Sequence, residues 1–111
     1  FIIRTSWLYS KKHGKNFYKT ILKKIGITKE IRITDAQLGC PTNCVNLAKH
    51  IYQNIIFKSP KYGLYHFSDE IQMTWYDFAK EIMRIAKLDC EIRKWCYKSF
   101  FFYGPNNILR F

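Results

Sequence analysis

Acidic residues are scarce in this chain: eight Asp and Glu stand against nineteen Lys and Arg over 111 residues, for a formal net charge of +11. Glycine and proline are also few, five and three in number, and the glycines lie far apart. No Gly-rich loop between a strand and a helix is therefore present to cradle a dinucleotide pyrophosphate. No Gly-x-Ser-x-Gly string announces a hydrolase nucleophile. Long apolar runs are missing. The segments are as short as Ile55-Ile56-Phe57, whereas a membrane-spanning helix needs about 20 apolar residues, so no membrane partner is expected. The opening Phe1-Ile2-Ile3-Arg4 has no basic stretch before an apolar one, which excludes a signal-peptide reading. With no initiator Met, the chain is expected to begin inside a longer protein.

Cysteine is present but not in a framework. Three residues separate Cys40 from Cys44 and five separate Cys90 from Cys96, and neither is the spacing of a zinc knuckle. His13, His50 and His66 are scattered. No metal site is expected, and the cysteines read as free thiols in a reducing cytoplasm.

What the chain does have is apolar and aromatic substance, 48% and 18% of its residues. That excludes a disordered polar tail and suits one domain. The lysines at 19, 23, 24, 49, 80 and 87 are spread along the helices rather than clustered. They read as solvated faces, and a nucleic-acid partner is not expected.

Strands and helices alternate, which is an α/β pattern. Phe1-Ile2-Ile3 reads as a buried parallel strand. From Asn16, a helix cap, Phe17, Ile21, Leu22 and Ile25 share one face. Gly26 is expected to close that helix in a left-handed turn. Ile31-Arg32-Ile33 alternates as a strand. Pro41-Thr42-Asn43 opens a second helix, with Thr42 or Asn43 as its cap and Leu47, Ala48, Ile51, Tyr52 and Ile55 as its apolar face. Ser59-Pro60-Lys61 ends it. Leu64-Tyr65-His66-Phe67 is a further strand. Thr74 with Asp77 resembles a capping box, followed by a stripe of Trp75, Phe78, Ala79, Ile82 and Ala86 that reads as core. From Arg93 the periodicity is lost, and Gly104-Pro105-Asn106-Asn107 signals a turn.

Two strings sit where ligands bind in open α/β sheets, beyond the carboxyl ends of strands. In Arg4-Thr5-Ser6-Trp7, small hydroxyl residues would let a ligand approach the backbone. Trp7 would supply an apolar wall with one N–H donor, or else pack in the core. In Gln37-x-Gly39-x-Pro41-Thr42, a polar loop meets a helix start, which suits anionic or hydroxyl-bearing ligands and equally a purely structural turn. His66 has no carboxylate partner in the sequence and reads as structural.

These strings, with Gly63-Leu64-Tyr65-His66 and Thr74-Trp75-Tyr76-Asp77-Phe78-Ala79, resemble in order and spacing the C-terminal portion of the dTDP-4-dehydrorhamnose reductase family. The likeness runs from Phe1 to about Ile92. It implies an α/β fold, the C-terminal portion of an extended Rossmann-type short-chain dehydrogenase, with the N-terminal cofactor-binding part absent from this chain. On this basis residues 1–92 are the substrate-binding part and residues 93–111 a divergent aromatic and basic tail, native or frame-shifted. The resemblance implies reduction of a dTDP-linked 4-keto sugar with NADPH or NADH, the proton coming from a Tyr outside this chain. It assigns Trp7, Arg4, Gln37, Gly39, Pro41 and Thr42 to the sugar nucleotide, an anion that the basic charge would favour, and Thr5 and Ser6 to the cofactor. No residue of this chain is expected to be catalytic, and the chain alone is expected to be inactive. A cytoplasmic enzyme, as a homodimer at full length, would fit. The family usually has Asp directly before the Gln; here Ala36 stands there and Asp35 one place earlier. That departure and the odd tail also fit a non-catalytic regulatory relative. A basic nucleic-acid-binding module is the remaining alternative.

Overall fold

Two amphipathic helices and one parallel strand pair carry most of the apolar burial. The computed structural model describes residues 1–95, and the expectations for the later part of the tail lie outside them. Helix α1 (Phe17–Ile25) starts at Asn16, whose side chain accepts the Lys19 amide, and buries Phe17, Ile21 and Ile25. Helix α3 (Trp75–Ala86) starts at Thr74 and buries Phe78, Ala79 and Ile82. Both pack on β3 (Glu30–Thr34), which pairs in parallel with β8 (Glu91–Trp95) from Glu30↔Glu91 to Thr34↔Trp95. Ile31 and Ile33 of β3 point into this core, and Cys90 closes it. Fully burying one such isoleucine is worth about 1.5–3 kcal/mol.

A second layer lies beside it. Strand β1 (Ile2–Arg4) pairs in parallel with β6 (Leu64–His66), Arg4 opposite His66. Helix α2 (Cys44–His50) continues without a break as a π-helix over Ile51–Ile56. Two two-residue pairings knit the loops. Strand β2 (Leu8–Tyr9) runs parallel to β5 (Thr42–Asn43), and β4 (Leu38–Gly39) antiparallel to β7 (Met73–Thr74). The described residues thus form a mixed α/β fold whose strands are joined only in pairs.

Several local expectations change. β1 is parallel but not buried: Ile2 is 64% exposed and only Ile3 turns inward, because β6 is its single neighbour among the described residues. Gly26 stays right-handed at φ −71°, since its amide and that of Thr28 continue the helical bonding to Leu22 and Lys24. The left-handed cap belongs instead to Lys87 at φ 53°, after α3. On the second helix Asn43 is the cap, accepting the Val45 amide. Its inward face narrows to Leu47, Ile51 and Ile55, with Ala48 and Tyr52 exposed. The turn after Tyr52 is wider than an α-turn, the Phe57 amide reaching the Tyr52 carbonyl at 2.9 Å. Strand β8 continues past residue 92, with Arg93, Lys94 and Trp95 in register with β3.

Candidate functional site

The segment after β1 divides into two neighbourhoods. Arg4, Thr5 and Ser6 line an open cleft of about 520 Å³ with His50, His66 and Glu70. The cleft lies at the carboxyl ends of β1 and β6, where the register sets Arg4 beside His66. His50 is held by stacking on Phe67, with centroids 4.4 Å apart, and by Asn54 Nδ2 at 3.2 Å from its Nδ1. One guanidinium, two imidazoles and one carboxylate thus line the cleft among small hydroxyl groups, a polar setting rich in hydrogen-bonding groups.

Trp7 turns into the second neighbourhood. Its ring stacks on Trp75 with centroids 3.5 Å apart and planes within 9°. Gly39 lies flush against the same ring: a Cβ there would come within 2.4 Å of Trp7 Cε2, which is why the position needs glycine. Gln37 Oε1 accepts the Trp75 Nε1–H at 2.9 Å. The short β4–β7 pairing makes this meeting, because Leu38 opposite Thr74 brings Gln37 to the start of α3. Trp75 also touches Phe17, and contacts run on through Phe78 and Tyr9 to Tyr18. These rings turn toward one another.

Beneath both lies a polar tie. Thr42 has no exposed surface, and Pro41 is buried beside it. The Thr42 hydroxyl donates to the Cys40 carbonyl at 3.1 Å, and its oxygen lies 3.4 Å from the Asp69 amide. The Thr42 amide donates to the Trp7 carbonyl at 3.1 Å. Asp69 accepts from the Asn43 amide at 2.9 Å and from Asn46 Nδ2. Thr42 and Pro41 thus hold this loop from inside. Burial pushes the Tyr9 phenol above its ordinary range, and nearby Asp69 adds to the effect.

The sequence candidates thus fall into three sets: Arg4, Thr5 and Ser6 in the cleft; Trp7, Gln37 and Gly39 in the aromatic cluster; Pro41 and Thr42 underneath. Trp75 was read as core only. Its place directly after the helix cap, at the end of the apolar stripe, is the one signal that it could reach a site. His50, His66, Asp69 and Glu70 carried no pattern that a linear reading could use. Asp35 is engaged with Lys94 at 3.4 Å. No group of three or more metal-binding side chains occurs among the described residues. Cys40, Cys44 and Cys90 are free thiols, and no helix among the described residues is long and apolar enough to cross a membrane.

A family model described as the RmlD substrate binding domain matches residues 1–98. The spore coat polysaccharide biosynthesis protein SpsK of Bacillus subtilis (strain 168) is 38% identical over 91 residues, 82% of this chain and 31% of that protein. The dTDP-4-dehydrorhamnose reductase of Escherichia coli (strain K12) is 36% identical over 89 residues, 78% of this chain and 29% of that enzyme. Among solved structures, the dTDP-4-dehydrorhamnose reductase of Bacillus anthracis str. Ames in complex with NADP superposes with a TM-score of 0.80 at 34% identity. That match covers 89% of this chain and 34% of the other. The chain therefore spans roughly a third of the length of these relatives. Matched over nearly its whole length in sequence, and over the same strands and helices in structure, the chain belongs to the RmlD substrate-binding domain family.

Proposed function

We propose that this chain is the substrate-binding part of a dTDP-4-dehydrorhamnose reductase, which reduces the 4-keto group of dTDP-4-dehydro-L-rhamnose to give dTDP-L-rhamnose. The observation that carries this reading is the double cluster just past β1. An open cleft with Arg4, His50 and His66 adjoins an aromatic wall built from Trp7, Trp75 and Gly39. A nucleotide sugar has the matching parts, a diphosphate for the Arg4 guanidinium and the hydrogen-bonding groups of the cleft and a deoxy-sugar ring for the wall. NADPH or NADH supplies the hydride when bound. Thr5 and Ser6 fit the approach of its nicotinamide, but nothing in this chain fits its pyrophosphate, since no Gly-rich turn is present. The work of the chain's own residues is to bind and orient: Arg4 draws the anion, Trp7 presents an edge of its indole to the sugar, and Gly39, Trp75 and Thr42 hold that ring in place. We assign the reaction to the cytoplasm, where the free thiols at Cys40, Cys44 and Cys90 would remain reduced.

The test is NADPH oxidation that depends on dTDP-4-dehydro-L-rhamnose, measured on the reductase polypeptide that carries this chain. Trp7→Ala should lower kcat/KM for the sugar nucleotide roughly 30-fold, the loss of about 2 kcal/mol at a well-packed aromatic contact. Cofactor affinity should barely move. Unchanged sugar-nucleotide kinetics would remove Trp7 from the pocket.

A further inference from the structure

Trp7 has a backbone that a tryptophan rarely adopts. Its φ is +42°, in the left-handed region, where a residue with a Cβ is held only if its surroundings over-determine it. The surroundings here are specific. The Thr42 amide pins the Trp7 carbonyl at 3.1 Å, Gly39 leaves room for the ring, and Trp75 lies parallel to it at 3.5 Å. Trp75 is itself fixed from three directions. Its Nε1–H is bound to Gln37, its ring rests 4.5 Å from that of Phe17, and it begins a helix capped by Thr74. Phe17 is a core residue of α1, so a chain of ring contacts runs from the core out to Trp7.

We propose that Trp75, locked by Gln37, is a positioning residue that sets the orientation of Trp7 toward the sugar ring of the nucleotide sugar. The inference rests on the reading that Trp7 walls that sugar. A phenylalanine at 75 would stack but could not hold Gln37, and a leucine at 37 would fill space but could not accept the indole N–H. Through its side-chain oxygen Gln37 acts on the ligand by way of Trp75 and Trp7.

A double-mutant cycle on the reductase polypeptide that carries this chain tests this, with dTDP-4-dehydro-L-rhamnose and NADPH as substrates. Trp75→Phe and Gln37→Leu should each raise the KM for the sugar nucleotide about 5- to 10-fold, with the KM for NADPH within about 2-fold. Combined, they should cost little more than either alone. On a Trp7→Ala background neither should add anything, whereas a residue that merely supported the fold would add its full effect there. Additive effects on that background, or an unchanged sugar-nucleotide KM in both single variants, would overturn the positioning role while leaving the wall in place. An unchanged sugar-nucleotide KM in Trp7→Ala alone would instead overturn the functional reading beneath it. Should Trp75→Phe fail to fold, Gln37→Leu measured with and without Trp7→Ala decides the matter by the same criterion.

Discussion

Gly39 shows how little room the aromatic wall leaves. Its α-carbon sits against an indole that cannot retreat, because Trp75 is stacked on that same indole. Gly39→Ala would place a methyl group 2.4 Å from Trp7 Cε2, far inside van der Waals contact. In the intact reductase it should cost about 1–3 kcal/mol of stability, the usual penalty for overpacking, and raise the sugar-nucleotide KM. Thermal unfolding and steady-state kinetics of the variant check both. A variant as stable and as active as the parent would mean that the Trp7 ring moves freely.

At the scale of elements, the start of α3 is where fold and site meet. The Thr74 hydroxyl oxygen accepts the Asp77 amide at 3.1 Å, and the hydroxyl donates to Asp77 Oδ2 at 2.9 Å, so the cap is made in both directions. Trp75 is the first residue after it. Thr74→Ala should cost about 1 kcal/mol and loosen the turn that carries Trp75, weakening sugar-nucleotide binding as well. Thr74→Ser keeps the oxygen and should restore both properties. Loss of stability with no change in sugar-nucleotide KM would separate the cap from the site. The second helix offers the contrast. Its inward face narrows to one row, yet the helix leaves His50 on Phe67 at the cleft, with Asn54 one turn on at its ring.

For the molecule as a whole, every sheet among the described residues is only a pair of strands. Two-stranded ribbons are marginal without a wider sheet or a covering helix. The β3–β8 pair has α1 and α3 upon it. The β1–β6 pair leaves Ile2 and Leu64 exposed, and Ile56, Phe57 and Tyr62 nearby in sequence are at least 62% exposed. The 111-residue chain expressed by itself should therefore bind an apolar dye, aggregate readily and take up no NADPH at micromolar concentration. Calorimetry and dye fluorescence are the checks. A sharp cooperative unfolding transition in a monomeric sample would show that the paired strands suffice.

Much of this was legible along the chain. The period of Phe17, Ile21 and Ile25, the stripe from Phe78 to Ile82 and the alternation of Ile31 and Ile33 marked α1, α3 and β3. The caps at Asn16 and Thr74 followed from side-chain chemistry alone. The family was readable from strings such as Arg4-Thr5-Ser6-Trp7, since such motifs are local and survive as words. Two-residue strands have no period to read, so β2, β4, β5 and β7 were invisible, and with them the contact between Gln37 and Trp75, 38 residues apart. Burial of Thr42 and the outward turn of Tyr52 likewise depended on what packs above them. Local sequence determined which segments become helix or strand and which family they belong to, because capping and periodicity act within a few residues. Tertiary structure alone decided that Trp7 leans on Trp75 while Arg4 and Ser6 face a separate cleft, because the direction of a side chain after a strand end depends on which distant segments pair beside it.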